Sequence, residues 1–131
     1  MLIYVSLVCV LQTILKSCTV PFTLLVGGGS FLYMSYPYIE TAWTAIDPEF
    51  GSHTFDQRSY GISNFVKAAL LFLLVPAATE TLVEAIWLDE WNTRYIHNLA
   101  AFYCIPDLVS LIRVRKMARS TVIHHIFVVG F

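Results

Sequence analysis

Charge is what this chain is short of. Lys, Arg, Asp and Glu make up 13% of its 131 residues, about half the share of an ordinary globular domain, where they are roughly a quarter. A net charge of -1 leaves no basic surface for a nucleic-acid backbone, so nucleic-acid partners are excluded. Disorder is excluded as well, because 57% of the residues are apolar and must be covered by something other than water. Cysteine is scarce and carries no pairing pattern: Cys9, Cys18 and Cys104 are odd in number, lie in apolar stretches and show no C-x-x-C spacing. Neither a disulfide framework nor a zinc site is indicated, no metal is expected, and buried inert thiols are. Internal repeats and low-complexity tracts are also missing. So is a basic residue ahead of the first apolar run, MLIYVSLVCVLQTIL, and no small-residue cleavage site is clearly placed after it. The run therefore reads as a retained anchor and not as a signal peptide.

What is present is apolar length, with a mean hydropathy of +0.68. The length fits one domain, and an all-α, integral membrane helical bundle is expected over residues 1-131. Helices are required because irregular backbone facing lipid leaves unpaired amides at several kcal/mol each. Residues 1-39 hold a single charge, Lys16. As one helix they would measure roughly 58 Å, too long for one crossing, so a break is needed. Pro21, the triplet Gly27, Gly28 and Gly29, and Pro37 offer places for it. A single crossing over about 2-26, followed by an interfacial segment with Phe31, Tyr33, Tyr36 and Tyr38 as an aromatic belt, is favoured. A tight hairpin of two short helices turning near Lys16 is the alternative.

Residues 40-63 gather Glu40, Asp47, Glu49, His53, Asp56 and Arg58 among Pro48, Gly51 and Gly61, and read as the main solvent-facing loop. Residues 64-88 form the clearest spanning helix, with Asn64 as N-cap, Pro76 as a kink and Trp87 at the far end. Lys67 is expected to snorkel to the interface. A second span is expected over about Arg94 to Ile112. Arg113, Arg115, Lys116 and Arg119 then follow, four of the eight basic residues within seven positions. By the positive-inside bias they lie on the cytoplasmic or matrix side. The last apolar run starts at Thr121 and holds 11 residues, about half a span. The sum is three crossings and an incomplete fourth.

Two constellations carry ionisable groups. Tyr103 and Asp107 stand four apart on one helix face, looking into the bundle interior. An aspartate inside a membrane costs about 2.5 to 3.5 kcal/mol on insertion scales, so it asks for a partner, and the simplest partner is Arg113 or Arg115. His97 lies six residues before Tyr103. His124 and His125 point about 100° apart on a helix, so one would face a cavity and the other a partner helix or the interface. Glu80 and Glu84, four apart, could pass a proton between them. More simply, Glu84 sits at the membrane surface and Glu80 pairs with a basic or hydroxyl group on a neighbouring helix. The three glycines have no G-K-[ST] after them, so close approach of a helix or lipid explains them better than a phosphate loop.

The stretch Tyr103-Cys-Ile-Pro-Asp107-Leu, followed by LIRVRKMARSTVIHHI, resembles the core of the TLC-domain family, the membrane proteins that include ceramide synthases and translocation-associated proteins. In that family a Y-x-x-x-D-L helix leads through a basic turn into a helix opening with a double His. The match falls on Tyr103, Asp107, the Arg113 to Arg119 turn, His124 and His125. It covers about residues 94-131, with 64-88 fitting by position. The resemblance implies that His124, His125 and Asp107 would serve an acyl-transfer site, the imidazoles acting as general base on an amine or hydroxyl acceptor. A TLC domain continues for several helices past the double His, whereas this sequence ends six residues after His125.

On these grounds an incomplete TLC-like domain is expected. Its leading expected role is a non-catalytic accessory subunit of a larger hetero-oligomeric membrane complex. It would contact other subunits and lipids through Tyr103, Arg113, Arg115, Lys116, Arg119, Glu80 and Glu84, with a bound phospholipid and no other cofactor. The motivation is that Glu80, Asp107 and His124 have no evident partners within the chain. The mitochondrial inner membrane is the expected setting, with the endoplasmic reticulum as alternative. The rival reading is part of a TLC-type lipid acyltransferase completed by another chain.

Overall fold

A computed structural model describes residues 1-130. They form six helices: α1 (Leu2–Ser17), α2 (Pro21–Ile46), α3 (Pro48–Ser52), α4 (Phe55–Trp87), α5 (Thr93–Arg113) and α6 (Arg119–Gly130). No strand occurs among the described residues. Two of the helices, α4 and α5, are long and apolar enough to cross a membrane, and α1 is a shorter apolar helix. The expected third crossing is therefore not met in this form, since the N-terminal apolar stretch is divided.

The division falls before Pro21 and not at the glycines. Proline disfavours helix in the residue ahead of it and fits the first helical position. Val20 is accordingly extended and Pro21 opens α2. The break is next to Lys16, but α2 then runs 26 residues through the glycine triplet and Pro37, so neither an early interfacial segment nor a pair of short helices forms. The last carbonyls of α1 are capped from a distance: Asn98 Nδ2 of α5 donates to Leu15 O at 2.7 Å and Cys18 O at 2.9 Å.

Residues 40-63, expected as a loop, are mostly helical. Asp47, extended ahead of Pro48, ends α2 and caps α3, its Oδ1 accepting from the Glu49 and Phe50 amides. Thr54 and Gln57 form a reciprocal capping box that starts α4 nine residues ahead of the expected helix start at Asn64. Arg58 holds this end together. Its Nε donates to Glu40 Oε1 at 2.7 Å, and its Nη1 donates to the carbonyls of Gly51 and His53. The charges read as loop solvation are thus partly a tie between α2, α3 and α4.

α4 spans 33 residues, about 50 Å at 1.5 Å each, well beyond the ~30 Å hydrocarbon thickness. It continues through Pro76 and stops after Trp87, where Asp89 takes a positive φ of 53°. A short polar residue tolerates that conformation better than a bulky one. The expected span from Arg94 to Ile112 is found one residue longer at each end, as α5, with Asn92 capping the Tyr95 amide.

α5 is the central element, packed against α1, α2, α4 and α6. In the most apolar 18-residue windows of the two long helices, 39% of α5 is buried within the protein against 11% of α4. One apolar core gathers Leu32, Tyr36, Phe50, Ile62, Val66, Ile105 and Val109, and a second gathers Leu11, Leu15, Leu74, Ala77 and Tyr95. The glycines admit α2 to α5 closely, since a Cβ on Gly28 would lie 2.4 Å from Ile105 Cδ1. Elsewhere the outer face of α4 exposes Phe72, Val75, Leu82 and Ile86.

Candidate functional site: a buried Lys67, Asp107 and His125 cluster

The only polar side chains that an apolar helix can bury at low cost are those that find partners on its neighbours. On α4, Ser59, Ser63 and Lys67 recur every four residues and so share one face; on α5, Asp107 and Ser110 turn the same way to meet them. Ser63 and Ser110 share a hydrogen bond between their hydroxyls, and Ser110 also donates to Pro106 O at 2.6 Å. One turn along, Lys67 Nζ donates to both oxygens of Asp107, at 2.7 and 2.9 Å. Asp107 is completely buried. α6 supplies the third member, with His125 Nδ1 lying 2.7 Å from Asp107 Oδ1 as a close contact not aligned as a hydrogen bond. Cys104, one turn before Leu108, donates its thiol to Val128 O and fixes α6 against α5.

Several expectations change here. Asp107 is partnered, but by Lys67 and His125 and not by Arg113 or Arg115. Lys67 does not snorkel away; its ammonium turns inward because the aspartate is one helix away at the same depth. Tyr103 does not share the interior with Asp107. It is about one-third exposed, with its ring 5.5 Å from the Lys67 ammonium. The adjacent histidines diverge as the helical turn requires: His125 is buried and His124 exposed, their rings 5.7 Å apart. His97 is exposed. The expected burial of the thiols is not met, since none of the three is fully buried: Cys9 is exposed and Cys18 and Cys104 are half-buried.

Glu80 is engaged by α1, accepting from Gln12 Nε2 and Lys16 Nζ, both at 2.9 Å. Both its oxygens are taken, so it forms no carboxylate pair with Glu84, which is half-buried at the Trp87 end. The premise that Glu80 and Asp107 lack partners within the chain is thereby overturned. Of the basic turn, Arg115, Lys116 and Arg119 are exposed. Arg113 instead folds back against the rings of Tyr36, Tyr33 and Phe55, at 5.1, 5.4 and 5.5 Å.

Ser63, Ser110 and Asn98 were given no role by the sequence, and Lys67 was given the wrong one. Their signal was a lone cation in NFVKAALL and a lone anion in CIPDLV: opposite charges isolated in two apolar helices favour one another over lipid. Among the described residues no group of His, Cys, Asp and Glu is arranged to hold a metal ion. No family pattern matches the chain, nor does any curated protein or solved structure.

Proposed function

We propose that this chain is a membrane-embedded unit of TLC type that acts on lipid, with His125 as proton acceptor and Asp107 as the residue that positions it. The observation that carries this reading is the approach of Asp107 Oδ1 to His125 Nδ1 at 2.7 Å inside the helix bundle. In this reading a small turn of the imidazole aligns Nδ1–H on the Asp107 carboxylate, which keeps the proton on that nitrogen and leaves Nε2 as the basic lone pair. An acceptor amine or hydroxyl attacks the carbonyl of an acyl thioester, forming the C–N or C–O bond as the C–S bond breaks. The acceptor's proton passes to His125 Nε2 and from there to the leaving thiolate. The resemblance on Tyr103, Asp107 and the double His supports the same assignment. In this reading α4 and α5 cross the bilayer, α1 and α6 complete a bundle of three to four spans, and the endoplasmic reticulum is the compartment.

A second reading, an accessory subunit of a mitochondrial inner-membrane complex, is favoured by one feature. Lys67 already neutralises both oxygens of Asp107, which is what a purely helix-pinning aspartate needs. The readings separate in one experiment. The full chain is reconstituted in phosphatidylcholine vesicles with a long-chain amino alcohol and a long-chain acyl-coenzyme A, and amide or ester product is measured. Product that His125→Ala abolishes and Lys67→Arg preserves supports lipid acyl transfer. No product from the wild type, together with co-purifying membrane subunits that His125→Ala leaves in place, supports the accessory role and removes the catalytic one.

A further inference from the structure

An open groove of about 540 Å³ runs between α2 and α5, within the roughly 300 to 1,000 Å³ of small-ligand sites. Val26, Ser30 and Met34 form one wall, Leu108 and Ile112 the other, and Tyr33 stands at one end. It lies on a different face of α5 from Asp107. Gly28 meets Ile105, Gly29 meets Leu108, and Tyr33 and Tyr36 meet Arg113, so the two helices run parallel and the groove has a direction. Its Val26 end is apolar. At its other end the Tyr33 ring, which lines the groove, lies 5.4 Å from the Arg113 guanidinium, itself outside the lining.

Arg113 is the unexplained charge of the fold. Three aromatic rings hold its guanidinium in place. Its Nε is buried without a hydrogen-bond partner, and no carboxylate pairs with it among the described residues. Arg113 is half-buried, and a guanidinium fork without a counter-ion favours an anion with matching acceptors, of which phosphate is one. Exposed Arg115, Lys116 and Arg119 add positive charge at the same end. Apolar groove and immobilised cation together fit an amphiphile with one anionic end.

We infer that the α2/α5 groove holds an acyl chain of an anionic phospholipid whose phosphate is gripped by Arg113. A free phosphate would leave the groove empty, and a zwitterionic lipid would gain less from the added charges of the turn. This site does not rest on the acyl-transfer reading, because it uses none of Lys67, Asp107 and His125.

The test uses the full chain in mild detergent, incubated with equimolar dioleoylphosphatidylglycerol and dioleoylphosphatidylcholine, with retained lipid counted by native mass spectrometry. The expected result is one retained phosphatidylglycerol, preferred roughly tenfold over phosphatidylcholine. Ser30→Trp, at an exposed position in the groove wall, lowers retention of both lipids. Arg113→Gln removes the preference, whereas Arg115→Gln keeps most of it. If Arg113→Gln fails to fold, Ser30→Trp against wild type decides alone. Equal retention of the two lipids, unchanged retention in Ser30→Trp, or displacement of the lipid by millimolar inorganic phosphate overturns the proposal.

Discussion

Lys67 of α4 and Asp107 of α5, forty positions apart in sequence, meet through two hydrogen bonds of 2.7 and 2.9 Å around a carboxylate with no exposed surface. The pair fixes the register of the two helices long and apolar enough to cross a membrane, because sliding either by one turn separates charges that lipid cannot solvate. Burial makes such a pair costly to break, though not necessarily costly to replace.

Lys67→Met leaves Asp107 without its cation, and removal of one partner from a buried pair costs about 3 to 5 kcal/mol. The double change Lys67→Met with Asp107→Leu removes both charges and is expected to recover most of the loss. Thermal unfolding in detergent, followed by far-UV circular dichroism, measures both. A double variant as unstable as the single one would show that the pair is not the source of the effect.

Lys16 and Glu80 provide the contrast. Their 2.9 Å bridge joins α1 to α4, but the lysine side chain is 54% exposed, and pairs of that kind contribute about 0 to 1 kcal/mol. Lys16→Ala is expected to lower stability by less than about 1 kcal/mol, with the difference shrinking as salt rises. A larger, salt-insensitive loss would place this pair in a dry environment.

Asn98 is wholly buried, and its amide donates to Leu15 O and Cys18 O. Asn98→Ala strands two carbonyls at the end of α1, a loss of about 1 to 3 kcal/mol for each buried group left unpaired. Because the lost bonds are local, the loosening should be local as well. Hydrogen exchange is expected to rise in residues 15-20 while α4 keeps its protection. A uniform rise across the chain would argue that Asn98 supports the whole core.

α5 was legible because its apolar run is bounded by polar residues at both ends: the Arg94 to Ile112 estimate misses it by one residue at each end. The Asn64 start of α4 was missed because the capping box at Thr54 and Gln57 lies in a polar stretch that reads as loop, although its spacing was available. The break at Cys18 to Val20 lies at Pro21, one of the places the sequence offered, but the favoured crossing over about 2-26 ran through it. The glycine triplet does not interrupt the helix, and Gly28 and Gly29 lack side chains where α2 packs against Ile105 and Leu108. In the cluster, Asp107 and the divergence of His124 and His125 followed from helical spacing alone. The choice of Lys67 over Arg113 did not, since it depends on which helices are neighbours.

Gly28 tests that packing explanation directly. A Cβ there would sit 2.4 Å from the end of the Ile105 side chain, a flexible terminus, so Gly28→Ala should be accommodated by a rotamer change at small cost. Gly28→Leu cannot be, and overpacking of this kind costs about 1 to 3 kcal/mol. Shortening the opposing residue should relieve it: Gly28→Leu with Ile105→Ala is expected to be more stable than Gly28→Leu alone, even though Ile105→Ala by itself opens a cavity. That sign reversal, read from the four unfolding midpoints of the cycle, is specific to direct contact. Gly27, with nothing within 4 Å of its built Cβ, is the control, and Gly27→Leu should be close to neutral whatever Ile105 becomes.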